Sequence, residues 1–203
     1  MNNKLIFGIV GGVVGLGLIV ALAISVATDP GVSDDIGFGE VEVDGSVLPQ
    51  FTDPANDPSV GTPAPTISGA DWEGNAVSIQ PDGRAKMIVF LAHWCPHCQN
   101  EVPVVQSWIN GGGLPEGVDL YGVASLTNRV QPNWPPQDWL EDEGWTAPVI
   151  MDDAVSTAAV SMGLSGTPFW VVLDGDNNVL ARVSGEVGLG GIQTLANIAS
   201  SSV

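Results

Sequence analysis

The chain has 203 residues, of which 44% are hydrophobic, enough for one domain of ordinary size with a buried core and appendages. Its 23 acidic and five basic residues give a formal net charge of -18, which argues against nucleic-acid binding, because basic residues must neutralise the phosphates. The acidic surface indicates no particular partner, since surface charge mainly keeps a protein soluble.

The N-terminus, residues 1–27, predicts a membrane anchor. The stretch from Leu5 to Ala27 carries no charge and, at about 1.5 Å rise per residue, is long enough for the ~30 Å hydrocarbon core of a bilayer. Lys4 precedes it and aspartates follow it, so the positive-inside rule places everything after residue 28 outside the cytoplasm. A cleavable signal peptide ending at Ala27 is the alternative, although its apolar core is usually only ~7–15 residues long. Either way, disulfide chemistry is permitted in the rest of the chain.

Residues 28–60 are rich in Asp, Gly and Pro and predict a spacer between the anchor and a domain over residues 61–203. Within the spacer, the segment from Val41 to Leu48 alternates weakly and is the one candidate for a short strand. The domain begins with a predicted β-hairpin over residues 64–79, whose turn lies at residues 73–75.

The rest of the domain alternates apolar strands with helices. Continuous apolar runs predict three buried strands, over residues 85–94, 118–126 and 147–153. Helical spacing and helix-starting residues predict four helices, over residues 98–110, 135–145, 154–164 and 189–201. Before the last helix, residues 168–185 read as two strands joined by a turn. This order predicts an α/β fold whose sheet is covered on both sides.

Every cysteine and histidine of the chain lies in one short motif, His-Trp-Cys-Pro-His-Cys at residues 93–98. Cys95 falls between a buried strand and a helix, where free backbone N–H groups and the helix dipole stabilise a thiolate. Cys98 lies one turn further along, shielded but close enough to form a disulfide with Cys95. We therefore expect a redox dithiol in which Cys95 is the nucleophile and Cys98 the resolving thiol.

The two residues between the cysteines fit this role. Pro96 suits the first turn of a helix, where its missing N–H is no loss. His97 supplies a donor or a partial positive charge near the Cys95 sulfur, which is expected to lower the pKa of that thiol.

Two other readings of the motif are weaker. A zinc site usually takes ligand pairs from two chain segments, whereas His93, His97 and the cysteines all lie in one segment. A purely structural disulfide with so short a loop would remove little entropy from the unfolded chain. We therefore expect neither a metal nor an organic cofactor.

A second motif, Ser-Gly-Thr-Pro-Phe-Trp at residues 165–170, places Pro168 at the entrance of an apolar strand. A cis Thr167–Pro168 bond would expose the Thr167 backbone for β-type pairing with an incoming peptide. A trans proline at the start of an edge strand is the alternative, and chain statistics favour it because only about 5–6% of X–Pro bonds are cis.

Together these motifs resemble the thioredoxin superfamily, and more narrowly its membrane-anchored TlpA/ResA-like members. The resemblance covers about residues 61–200 and includes the family's Gly-x-x-Ala-Pro element, at Gly61, Ala64 and Pro65. It implies a thioredoxin-like α/β fold, a central mixed β-sheet flanked by helices, preceded by an N-terminal transmembrane helix.

The resemblance also implies roles for individual residues. The two cysteines match the catalytic pair, and Trp94 matches the aromatic residue that shields it. Pro168 matches the family's cis-proline, which with Thr167 forms the substrate-binding edge. Glu101 matches an acidic residue that tunes cysteine pKa values in reductive members; an exposed acid in the first turn of the helix is the alternative reading.

The function implied is thiol:disulfide exchange with secreted or membrane-associated proteins, with a redox partner in the membrane. The direction stays open, because Pro96 and His97 match the oxidising DsbA-type enzymes while the domain matches TlpA-like ones. A reductase would serve apocytochromes before haem attachment, and an oxidase would introduce disulfides into secreted proteins. A non-catalytic Cu(I) carrier using the two soft thiolates is the alternative from another class. The oligomeric state is not indicated.

Overall fold

The computed structural model describes residues 37–203, so the predicted anchor and the first part of the spacer lie outside the described residues. In the described part, the strands are β1 (Glu42–Asp44), β2 (Thr66–Ala70), β3 (Ala76–Ile79), β4 (Ala85–Leu91), β5 (Val118–Ala124), β6 (Val149–Met151), β7 (Phe169–Leu173) and β8 (Val179–Ser184). The α-helices are α1 (Pro96–Asn110), α2 (Pro136–Asp142), α3 (Thr157–Ser161) and α4 (Gly188–Ser200), and a turn of 3₁₀ helix covers Pro54–Asn56. None of the helices within residues 37–203 is long and apolar enough to span a bilayer.

Two sheets organise the domain. The larger has five strands in the order β6-β5-β4-β7-β8. Its β4, β5 and β6 run parallel, whereas β7 is antiparallel to both β4 and β8. The smaller is an antiparallel sheet of β1, β2 and β3. The mixed central sheet and the alternation of strands with helices confirm the α/β fold expected from the sequence.

The central strand β4 is buried along its whole length because the sheet separates two hydrophobic clusters. Met87 and Val89 belong to the cluster that contains side chains of α1, α2 and α4. Ile88 and Phe90 belong to the cluster that contains α3 and the β2–β3 hairpin. This alternation follows the two-residue period of a strand. The dithiol motif therefore follows a strand that is held from both sides.

The N-terminal part of the described chain differs from the predicted spacer. β1 pairs with β2, and Leu48 and Phe51 are buried in the cluster beneath α3. The Asp57 carboxylate forms a buried ion pair of 2.6 Å with Arg182 of β8. Residues 37–60 thus pack as part of the domain. The spacer prediction rested on their Asp, Gly and Pro content, which carries no signal for contacts made with distant segments.

Candidate active site

The two cysteines occupy different positions at the start of α1. Cys95 is the residue before the first helical turn, and Pro96 is the first residue of the helix. Cys98 is fully buried, and its sulfur accepts a 3.4 Å hydrogen bond from the Ala92 backbone N–H. Both cysteines are free thiols in the structure.

These positions give the thiols different acidities. Burial acts to raise the pKa of Cys95, but hydrogen bonds from the Cys98 backbone and the Thr167 side chain outweigh it, and the pKa lies below the ordinary 9.0. Burial raises the pKa of Cys98 to about 12, and the nearby Cys95 sulfur adds to the rise. The thiolate therefore forms more readily at Cys95 than at Cys98.

The segment at Thr167 and Pro168 lies directly beside Cys95. The Cys95 thiol donates a 3.3 Å hydrogen bond to the Thr167 carbonyl oxygen. The Thr167–Pro168 peptide bond is cis, as the resemblance implied, and Pro168 directly precedes β7. The carbonyl oxygen of Pro168 in turn accepts a 2.8 Å hydrogen bond from the Gly185 backbone N–H, which joins this segment to the loop after β8.

The imidazole of His97 forms its hydrogen bond with a carboxylate and not with the Cys95 sulfur. Its ring is 68% exposed, and its Nδ1 lies 3.1 Å from Oε2 of Glu186, in the loop between β8 and α4. Asn100 donates to the same carboxylate oxygen at 3.3 Å. The hydrogen bond that His97 does make to the Cys95 sulfur comes from its backbone N–H. The imidazole thus pairs with a carboxylate, which no sequence signal near residue 97 indicates.

Glu101 is fully buried, so its reading as an exposed helix acid is wrong. Its Oε1 accepts 3.1 Å hydrogen bonds from the Trp170 indole N–H and the Val187 backbone N–H. Its Oε2 accepts a 3.0 Å hydrogen bond from the Gly188 backbone N–H. The carboxylate therefore connects α1 to β7 and to the start of α4, behind the dithiol.

Trp94 and His93 attach the motif to the loop that follows β5. The half-buried Trp94 donates its indole N–H to the Leu126 carbonyl oxygen at 2.8 Å. His93 is buried, and its Nε2 accepts from the Asn128 backbone N–H at 3.2 Å. Its Nδ1 consequently carries the proton that is donated to the Pro132 carbonyl oxygen at 2.7 Å.

His93 is the site residue whose role the sequence did not reveal, since the motif suggested it only as a metal ligand. Burial lowers the pKa of His93 below its ordinary 6.5, outweighing the hydrogen bonds to the loop. A neutral imidazole therefore holds the loop against the motif. Within residues 37–203, no three His, Cys, Asp or Glu side chains are grouped in a way that could hold a metal ion.

The same loop carries an aromatic cluster next to the site. The Arg129 guanidinium lies 5.5 Å from the ring centre of Phe38 and 5.7 Å from that of Trp134. Trp134 packs at 6.0 Å against the ring of His93, in an edge arrangement. Phe38, from the N-terminal segment, thus helps to hold the loop that borders the dithiol.

The comparison with known proteins agrees with this geometry. The family model described as Redoxin matches residues 59–195. The sporulation thiol-disulfide oxidoreductase A of Bacillus subtilis is 30% identical over 80 residues, which are 39% of this chain and 47% of that protein. The thiol:disulfide interchange protein HelX of Rhodobacter capsulatus is 29% identical over 105 residues, 51% of this chain and 54% of that protein. The chain thus spans about half the length of these curated relatives.

The fold is also found among solved structures. The crystal structure of a DsbF homologue from Corynebacterium diphtheriae superposes with a TM-score of 0.58 and 23% identity, covering 74% of this chain and 98% of that one. Together with the family match, this likeness confirms the thioredoxin-like fold expected from the sequence.

Proposed function

Because the chain belongs to the Redoxin family, we propose that it is a protein thiol:disulfide oxidoreductase acting through Cys95 and Cys98. The observation that carries this proposal is the unequal pair of thiols, a Cys95 with a lowered pKa and a buried Cys98 whose pKa is about 12. Cys95 is therefore suited to attack a substrate disulfide. Cys98 is suited to react only after a mixed disulfide has formed at Cys95.

In the reductive direction, the Cys95 thiolate attacks one sulfur of a substrate disulfide, and the other substrate sulfur leaves and takes up a proton. Cys98 then loses its proton and attacks the Cys95 sulfur of the mixed disulfide, which releases the second substrate thiol. The substrate has gained two electrons and two protons, and the protein holds a Cys95–Cys98 disulfide. A dithiol partner in the membrane reduces that disulfide. The oxidative direction is the reverse of these steps.

We further propose a TlpA/ResA-like arrangement, in which the segment over residues 1–27 anchors the domain to the outer side of the cell membrane. This rests on the uncharged run from Leu5 to Ala27, preceded by Lys4 and followed by aspartates. Labelling of intact cells with a thiol reagent that does not cross membranes tests the location. Cys95 should react without lysis, and protection until lysis would contradict this topology.

The reduction potential decides the direction of exchange. Stabilisation of the Cys95 thiolate by hydrogen bonds favours an oxidant, whereas the resemblance of the domain to TlpA-like members favours a reductant. A potential near about -270 mV identifies a reductase for substrates such as apocytochromes before haem attachment. A potential near about -120 mV identifies an oxidase of secreted proteins.

The experiment that tests the activity compares the native chain with Cys98→Ala and Cys95→Ala variants. Only the native chain should turn over insulin disulfides, and Cys98→Ala should accumulate a mixed disulfide through Cys95 that mass spectrometry detects. Cys95→Ala is the matched control and should trap nothing. The proposal would be contradicted if the native protein showed no turnover and retained one equivalent of Cu(I) in the presence of competing thiols. That result would indicate a copper carrier.

A further inference from the structure

We propose that Glu186 selects substrates that carry a lysine or arginine beside their reactive cysteine. The inference rests on the proposed function and names the substrate class of the same site. It starts from a shallow, open cavity of about 520 Å³ beside the dithiol motif, whose lining residues are His97, Gly185, Glu186, Val187 and Gly188. Two of these five residues are glycines, and Glu186 is the one acidic residue among them.

The cavity is connected to Cys95 by two hydrogen bonds. The Cys95 thiol contacts the Thr167 carbonyl oxygen at 3.3 Å, and the next carbonyl along the chain, that of Pro168, accepts the Gly185 N–H at 2.8 Å. His97, which also lines the cavity, lies two residues after Cys95. A peptide whose cysteine is joined to Cys95 therefore has a neighbouring side chain within reach of the cavity.

Glu186 is suited to receive a cation from such a peptide. Hydrogen bonds from His97, and then from Asn100, lower the pKa of its carboxyl, so that it is ionised at neutral pH. Both contacts fall on Oε2, and 37% of the side chain is exposed, which leaves Oε1 for a guanidinium or ammonium group. The carboxylate is thus held in place while one acceptor stays available.

The basic side chains of residues 37–203 do not compete for this position. In the described chain, the lysine and arginines each contact other groups; these residues are Arg84, Lys86, Arg129 and Arg182. The net charge of -18 also favours the approach of a basic segment over that of an acidic one. Charge complementarity therefore favours a basic segment in the cavity.

The test measures rates of disulfide exchange between the full chain and three peptides. The peptides differ only in the residue next to their cysteine, which is Arg, Ala or Glu. The rate for each variant is normalised to that for the Ala peptide, so a general change in reactivity cancels. We expect the native chain to prefer the Arg peptide over the Glu peptide by roughly fivefold or more at low salt, with the preference shrinking at about 0.5 M salt. Glu186→Gln should abolish most of the preference for the Arg peptide, and Glu186→Lys should reverse the preference in favour of the Glu peptide.

Glu116→Gln is the matched control, because Glu116 is exposed in the loop between α1 and β5, at the opposite end of α1 from Cys95. It should keep the native preference. Exchange without a preference, or a preference that survives Glu186→Gln, overturns the selection by Glu186 and leaves the proposed activity intact. Absence of exchange with all three peptides and with a small aromatic disulfide overturns the activity as well.

Discussion

The thiol of Cys95 and the main-chain oxygen of Thr167 lie 3.3 Å apart although 72 positions of sequence separate them. This contact places the proposed nucleophile against the backbone that is expected to bind the substrate. Cys98 lies in the first turn of α1 and is fully buried. The site is therefore asymmetric, because Cys95 keeps 7% of its surface exposed whereas Cys98 has none exposed.

The asymmetry predicts two separate alkylation profiles. In a Cys98→Ala variant, Cys95 should reach half of its maximal rate with iodoacetamide below pH 9.0, because hydrogen bonds to its sulfur outweigh its burial. In a Cys95→Ala variant, Cys98 should stay unreactive far above pH 9.0, because burial is the main cause of its raised pKa. Mass spectrometry of timed samples measures both rates. Coinciding profiles would contradict the assignment of nucleophile and resolving thiol.

The neutral His93 predicts a loss of stability on mild acidification. Burial lowers its folded-state pKa below 6.5, so the unfolded chain binds more protons once the pH falls below 6.5, and the free energy of unfolding decreases as the pH falls. His93→Gln should weaken this dependence between about pH 6.5 and 5, above the usual range of carboxyl titration. Urea denaturation at several pH values measures it.

The control for that experiment is Val130→Gln, which replaces an 88% exposed, non-titrating side chain in the loop after β5. This variant should keep the native dependence of stability on pH in the same window. An unchanged dependence in His93→Gln would show that the contacts of His93 with the loop after β5 do not require a neutral ring.

Glu101 is predicted to stabilise the domain through its three acceptor contacts. Glu101→Ala leaves the Trp170 indole and two backbone N–H groups without their acceptor, which should lower the free energy of unfolding by about 3 kcal/mol. Glu101→Gln should cost less, because its amide oxygen can keep part of these contacts. Urea denaturation measures both, and Glu116→Ala, at an exposed acid, should change stability by no more than about 0.5 kcal/mol. Equal losses at positions 101 and 116 would refute the prediction.

The ion pair of Asp57 and Arg182 predicts that the N-terminal segment is needed for stability. Both side chains are almost fully buried, so Asp57→Ala leaves a buried guanidinium unpaired and should cost about 3–5 kcal/mol. Asp176→Ala, at an exposed turn position, should cost little. Urea denaturation of these variants and of chains beginning at residues 37 and 61 measures the contribution. A chain beginning at residue 61 with the stability of the longer one would contradict it.

The sequence alone was sufficient for the order of elements and for the position of the Cys95–Cys98 pair. The two-residue period of β4 and the apolar spacing of α1 are local signals, carried by residues within a few positions of each other. The same is true of the Cys95–Cys98 spacing at a junction of strand and helix. Such features are predictable because neighbouring residues determine backbone conformation and the local end of a helix.

The tertiary structure alone decided what surrounds that pair. Glu186 meets His97 across 89 positions, and Asp57 meets Arg182 across 125. The burial of Glu101 and the pairing of His93 with the loop after β5 likewise depend on how β4, β7 and α4 pack together. No local pattern encodes these contacts, because their energies depend on burial and on groups that only the folded chain brings within hydrogen-bonding distance.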